Sequence, residues 1–204
     1  MKNRFFSSIA FLGLTALIIT SCSKLPQAEI DAANAAVEQA RNAGADIYVP
    51  DSYIALQDSL KGVMTGIESQ ESKLFKNYTE AAAQLEGVTK YATEVKQQAE
   101  TKKEELKMEI QNTIAEVKTL IETSRQLILE APRGKEGTSA LVAIKGELDA
   151  IETSINQTNE QFESGDYLAT MGQASAAKEK AASIQAELTE VIAKYKSAAR
   201  SRNS

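Results

Sequence analysis

The sequence predicts an all-α fold, an elongated antiparallel helical bundle or coiled coil in which two tandem three-helix units share one long central helix. Three observations predict it. Ala, Glu, Lys, Gln and Leu, which favour helices, dominate the chain from residue 28 onward. Apolar residues recur at steps of three and four, the spacing of one helix face. The second half of the chain repeats the apolar spacing of the first half at a nearly constant offset.

The amino terminus, residues 1–21, has the pattern of a secretory signal peptide that is removed from the mature protein. Lys2 and Arg4 precede an apolar run over residues 9–19, and small polar residues follow that run. An apolar run of 11 residues is too short to cross a hydrocarbon core of roughly 30 Å as a helix. A stable transmembrane anchor is therefore the less favoured interpretation.

The four residues Ile19-Thr20-Ser21-Cys22 resemble the bacterial lipobox, with Ile19, Thr20 and Ser21 as the signal-peptidase recognition residues. The resemblance implies that the Cys22 thiol receives a diacylglycerol, that cleavage precedes Cys22 and that the new amino terminus is acylated, for example by palmitate. Several acyl chains exceed what lasting membrane attachment requires. The alternative is a plain secretory peptide in which the only cysteine of the chain is incidental. Ser23 resembles the outer-membrane type of lipoprotein, so we expect an outer-membrane protein that faces the periplasm.

The first three helices are predicted from apolar spacing and from the residues at their ends. The first, about 27–44, ends at Gly44, and the second, about 51–74, follows Pro50. The third, about 77–130, has Asn77 as a cap and would be roughly 80 Å long, too long for one compact domain to bury. The apolar seam of the second helix consists of Tyr53, Leu56, Leu60, Val63, Ile67, Gln70 and Leu74.

The remaining two helices repeat this arrangement after a turn at residues 131–139. The fourth helix, about 139–163, repeats the second at an offset of 88 residues, and the fifth, about 166–200, repeats the third at an offset of 89. Tyr167 then corresponds to Tyr78, and the apolar positions of the fifth helix continue through Val191 and Tyr195. The long helix would also serve as the first helix of the second unit, through Val117, Leu120, Ser124 and Leu127.

The predicted organisation is a lipidated tether at 22–27, a first three-helix unit at 28–106 and a second at 107–200. The competing fold is one compact bundle in which the long helix kinks between Thr101 and Glu105. The two folds differ in whether the two halves of the chain pack against each other.

Two turns resemble those of a group of uncharacterised bacterial lipoproteins with a helical domain of unknown function. Residues 44–50 match a GA-x-x-Y-x-P turn, and residues 165–169 match a GDY-x-x-A turn, with Ala169 one position early. The resemblance covers about residues 28–100 and 140–195. It implies an all-helical envelope protein and does not imply any particular activity.

The composition argues against an enzyme, a metal protein and a nucleic-acid-binding protein. The chain has no His, one Cys and a formal net charge of −5, which becomes more negative when Lys2 and Arg4 are cleaved off. Glu104 and Glu105 are adjacent on a helix and point about 100° apart, so they favour a solvated face with Glu100–Lys103 and Glu104–Lys107 pairs. We therefore expect no catalytic residue, no metal and no cofactor beyond the lipid on Cys22.

The predicted function is a membrane-anchored, non-enzymatic helical spacer or protein-interaction module of the bacterial cell envelope. The alternative is a helical-bundle carrier of a lipid or another apolar ligand. Partners would be the membrane, through the lipid, and an envelope protein or a second copy of the chain. The candidate contact residues lie in turns and are Tyr48, Tyr78, Arg133, Lys135 and Tyr167.

Overall fold

A computed structural model describes residues 24–131 and 135–202, which form six helices and the turns between them, with no strand in those ranges. This confirms the predicted all-α fold. The helices are α1 (Gln27–Asn42), α2 (Ala45–Tyr48), α3 (Pro50–Glu71), α4 (Thr79–Glu130), α5 (Lys135–Ser164) and α6 (Tyr167–Arg202). Cys22 and the residues before it lie outside the described ranges.

The first bundle consists of α1, α2 and α3 packed on the amino-terminal half of α4. One apolar cluster from Ile30 to Ala99 fills it. The apolar positions at steps of three and four on the first helix are all buried, namely Ile30, Ala33, Val37 and Ala40. Leu85, Val88, Ala92 and Val95 on α4 are buried as well. The start of α1 lies beside residues 86–90 of α4. Val49, which comes after α1 and α2, lies beside the later residues 94–102 of α4. The chain from α1 to Val49 therefore advances in the same direction as α4, so α1 is parallel to α4.

The second bundle consists of α5 and α6 packed on the carboxy-terminal half of α4. A separate apolar cluster from Ile110 to Leu188 fills it, and Leu106 packs against that cluster. Lys178 pairs with Glu116 and Lys196 pairs with Glu130, so α6 runs parallel to α4. In both bundles the first and third helices are therefore parallel.

The long helix α4 has 52 residues and runs without interruption, which gives it a length of about 78 Å. Within residues 24–131 and 135–202, helices α1, α2 and α3 do not pack against α5 or α6. The fold with one compact bundle is therefore wrong, and two bundles share the long helix as predicted.

Several helix ends and seam positions differ from the prediction. Helix α3 ends at Glu71, so Leu74 leaves the seam and is 97% exposed. On α6, Val191 and Tyr195 are exposed and Ile192 is buried in their place. Helix α5 begins at Lys135 and contains Gly137, which was predicted to lie in the turn.

Two further differences concern α2 and the first helix of the second bundle. The short helix α2 lies in a stretch that was predicted to be only a connection between longer helices. In the second half of α4, Ile114, Val117, Ile121 and Ser124 are buried, whereas Leu120 and Leu127 are only partly buried. These residues follow the buried first-helix residues Ile30, Ala33, Val37 and Ala40 by 84 positions, whereas the predicted set Val117, Leu120, Ser124 and Leu127 would follow them by 87.

Candidate functional site

The turn between α1 and α3 has a structural requirement at each residue of its GA-x-x-Y-x-P pattern. Gly44 has φ of 90°, a left-handed conformation that glycine adopts without a steric penalty. A Cβ at residue 44 would lie 2.8 Å from ring carbons Cδ2 and Cε2 of Tyr48, so the ring packs directly on the glycine. Ala45 is fully buried, and Pro50 is the first residue of α3, where its missing N–H costs nothing.

The turn between α5 and α6 is built in a similar way around a second left-handed glycine, Gly165, with φ of 90°. The Asp166 carboxylate accepts a hydrogen bond from the backbone N–H of Ala169 at 3.3 Å, which caps the start of α6. The Tyr167 ring packs against Phe162 with centroids 5.4 Å apart, and the Nζ of Lys107 lies 5.8 Å from the centroid of the same ring. Tyr167 thus ties the turn to the middle of α4.

These two turns are far apart in the sequence, but both lie beside the middle of α4, where Val49 lines a groove with residues 94–102 and Lys107 lies next to Tyr167. Burial raises the pKa of Tyr48 above its usual value of 10.0, and the neighbouring charges of Tyr167 and Asp166 raise it further. That effect requires the two turns to lie within electrostatic range of each other. We call residues 44–50 and 165–167, with the facing part of α4, the bundle junction.

An open groove of about 560 Å³ lies at the bundle junction. It is lined by Val49 and by Glu94, Gln97, Gln98, Thr101 and Lys102 of α4. Five of the six lining residues have polar or charged side chains.

The structure brings together two of the five candidate contact residues. Tyr48 and Tyr167 both lie at the bundle junction, and both are partly exposed. Tyr78 lies at the start of α4, about 40 Å away along the helix, and with 4% exposure it belongs to the first core. Arg133 lies outside the described ranges, and Lys135 is the first residue of α5.

The charged cluster in the middle of α4 forms ion pairs along the helix. Glu104 pairs with Lys107 at 3.0 Å, as predicted, and this hydrogen bond raises the pKa of Lys107. The predicted Glu100–Lys103 pair is wrong, because Glu100 lies 3.9 Å from Lys96 instead. Within residues 24–131 and 135–202, no three carboxylate, thiol or imidazole groups lie close enough to hold a metal ion.

Two features were missed because they depend on neighbours that are distant in sequence or on where a helix ends. Arg125 of α4 donates hydrogen bonds to Asp149 and Glu152 of α5 at 2.8 and 2.7 Å. Both hydrogen bonds raise the pKa of Arg125, and the one to Glu152 has the larger effect. Leu74 and Phe75 are exposed in the turn between α3 and α4. The Lys-Leu-Phe-Lys order of residues 73–76 was the only sequence signal for this second feature.

None of the helices in the described part of the chain is both long enough and apolar enough to span a membrane. Comparison of the chain with family models, with curated proteins and with solved structures finds no match. The lipobox and the two turn motifs therefore rest on the residues themselves and stay predictions.

Proposed function

We propose that the chain is a lipid-anchored protein of the bacterial cell envelope that acts as a non-enzymatic helical spacer and presents a protein-interaction surface. The observation that carries the proposal is the position of the lipobox directly before a fold of two bundles arranged along one helix. Helix α1 begins at Gln27, five residues after Cys22. Lipid on Cys22 would hold the first bundle against the membrane, and Ser23 favours the outer membrane, facing the periplasm.

The length of α4 supports the spacer role. The start of α4 lies at the anchored end of the first bundle, since α1 is parallel to α4. At a rise of 1.5 Å per residue, Lys107 is about 40 Å and Glu130 about 75 Å from Thr79 along the helix. A rod that stands upright would hold the bundle junction about 40 Å from the membrane and the second bundle beyond it.

The bundle junction is the interaction surface that we propose. An exposed apolar residue is the chain neighbour of each of its two tyrosines. Ile47 comes directly before Tyr48, and Leu168 comes directly after Tyr167. Tyrosine and aliphatic side chains with a polar surround are typical of the centre of protein interfaces. An envelope protein or a second copy of the chain is the partner that this surface fits.

The lipid anchor is tested by substituting the cysteine in cells. We expect wild-type protein to incorporate an alkyne-labelled fatty acid and to sediment with membranes, and C22A to lose both properties. S23A is the matched control and should keep the label. An unlabelled wild type, or a C22A protein that sediments with membranes as well as wild type does, would refute the anchor.

The interaction surface is tested by photo-crosslinking in cells. A photoreactive residue at position 47 or 168 should give one discrete protein adduct, whereas the same residue at the exposed position 142 of α5 should not. Adducts of equal yield at all three positions, or none at 47 and 168, would contradict a specific surface at the bundle junction.

The alternative, a carrier of a lipid or another apolar ligand, has one supporting observation. A groove of about 370 Å³ between α1 and α4 is lined partly by Ala28 and Ala32 and is more apolar than the groove at the bundle junction. Native mass spectrometry of the purified C22A protein would detect a retained lipid, and its absence would leave the spacer as the better proposal.

A further inference from the structure

We propose that the turn between α3 and α4, residues 72–78, inserts Leu74 and Phe75 into the same bilayer leaflet that holds the lipid on Cys22. This inference rests on the proposed lipid anchor. Leu74 is 97% and Phe75 89% exposed, more than any other large apolar side chain in the described residues. Exposure of two adjacent large apolar residues is unfavourable in water and indicates a surface that is covered in the cell.

The exposure follows from the end of α3. The apolar seam of α3 continues in sequence to Leu74, but the helix ends at Glu71, and the next residues form a turn. Tyr78 then returns to the core with 4% exposure. Leu74 and Phe75 are therefore the residues of this turn that the first bundle leaves uncovered.

The equivalent turn of the second bundle has no such residues. Helices α5 and α6 are joined by Gly165 and Asp166 alone, whereas seven residues join α3 to α4. The two bundles otherwise have the same order and direction of their long helices. Of these two equivalent turns, only the one at the end of the first bundle near Cys22 has the longer loop with Leu74 and Phe75.

The start of α1 and this turn lie at the same end of the first bundle. Ala28, Glu29 and Ala32 of α1 lie beside Glu86, Thr89 and Lys90 of α4. Gln27 therefore lies only about 10 Å along α4 from its first residue, Thr79, at 1.5 Å per residue. The five residue steps from Gln27 back to Cys22 span up to about 17 Å when extended. Lipid on Cys22 can consequently enter the leaflet that the turn contacts.

The charges of the turn suit a membrane surface. Lys73 and Lys76 flank the apolar pair, and no acidic residue lies within residues 72–78, although the whole chain is acidic. The stem of Lys73 can lie along apolar surface while its ammonium group reaches lipid phosphates. Lipid on Cys22 alone would leave the rod free to tilt, and a second contact with the leaflet would restrict its orientation.

A single-tryptophan variant tests the insertion, because the chain has no Trp. Full-length mature F75W lipoprotein is reconstituted into vesicles of phosphatidylethanolamine and phosphatidylglycerol that contain a brominated phosphatidylcholine. L129W is the matched control, since Leu129 is 65% exposed near the other end of α4. We expect the indole emission of F75W to shift to the blue and to be quenched by the brominated lipid at least threefold more than that of L129W.

Flotation of each sample with the vesicles separates the two proposals. Flotation with equal quenching of F75W and L129W overturns the insertion and leaves the anchor intact. A wild-type protein that does not float overturns the anchor and the insertion together. An F75W indole that is shielded from acrylamide but not quenched by brominated lipid is covered by protein, which also overturns the insertion.

Discussion

Gly44 is the position at which the turn motif makes the sharpest energetic prediction. In G44A, an L-residue must adopt φ of 90°, which costs roughly 1–2 kcal/mol. The new Cβ would also lie 2.8 Å from two ring carbons of Tyr48, well inside the usual carbon–carbon contact distance of about 3.5–4.0 Å. Moving the ring away adds about 1–3 kcal/mol, the usual cost of an overpacked site.

The expected loss of unfolding free energy is therefore about 2–4 kcal/mol, after allowance for the smaller entropy of the unfolded alanine chain. Gly165 supplies the matched control. It has the same φ of 90°, but a Cβ there meets nothing within 4 Å. We expect G165A to cost only the backbone part, roughly 1 kcal/mol. Gly62 lies within α3 with open space around it, so G62A should stabilise the chain by about 1 kcal/mol.

The assay is urea unfolding followed by circular dichroism at 222 nm, on a soluble chain that begins at residue 23. Because Gly44 and Gly165 lie in different bundles, the decisive comparison is made within the first bundle. G44A is measured in the wild-type and in the Y48A background. If the ring clash is the cause, G44A should cost at least about 1 kcal/mol less in Y48A. An equal cost in both backgrounds, or a smaller cost for G44A than for G165A, would refute the reasoning.

Three further predictions concern the second core, the bundle junction and the overall shape. The fully buried Ser124 hydroxyl has no hydrogen-bond partner among the described residues. S124A should therefore raise the free energy of unfolding by about 1 kcal/mol more than the control S59A does at an exposed position. Equal effects of the two substitutions would contradict this. The pKa of Tyr48 is raised, so the stability it contributes is complete below pH 10 and is lost as pH rises through the folded pKa. The absorbance difference at 295 nm between wild type and Y48F should therefore titrate above pH 10. D166N should lower that midpoint only in part, because burial is the larger cause, and a midpoint at 10 would contradict a shift caused by burial. Small-angle scattering should give a radius of gyration of about 24 Å for a rod of this length, whereas about 16 Å would indicate a compact globule.

The core of each bundle was predictable from the sequence because a heptad seam is a local signal. Residues three and four apart share one helix face whatever they pack against, so Leu56, Leu85 and Leu148 could be placed inside without knowledge of their partners. The ends of the seams were less predictable. Leu74 lies beyond the end of α3 and is therefore exposed. On α6 the buried seam passes from Leu188 to Ile192, which leaves Tyr195 exposed although α4 still lies beside it at the Lys196–Glu130 pair.

The bundle junction was not predictable, because it depends on which turns the shared helix brings together. Each turn motif was recognisable, and the left-handed glycines Gly44 and Gly165 were placed at breaks. Nothing local in either motif indicates that Tyr48 and Asp166 lie within electrostatic range. That proximity requires a long and continuous α4. The alternative fold, in which the long helix kinks between Thr101 and Glu105, would not have had a continuous helix there.

The internal duplication stays a prediction, and the junction constrains how it is interpreted. The two turns beside the middle of α4 are not equivalent in the repeat: one joins the first and second helices of its bundle, and the other joins the second and third. Two bundles that share a helix in this order must bring unlike turns together in the middle, because the third helix of one continues directly as the first helix of the next. The packing requirement therefore differs between the two turns. Gly44 must accommodate the Tyr48 ring, whereas Gly165 meets no neighbour and can be replaced at the cost of its backbone conformation alone.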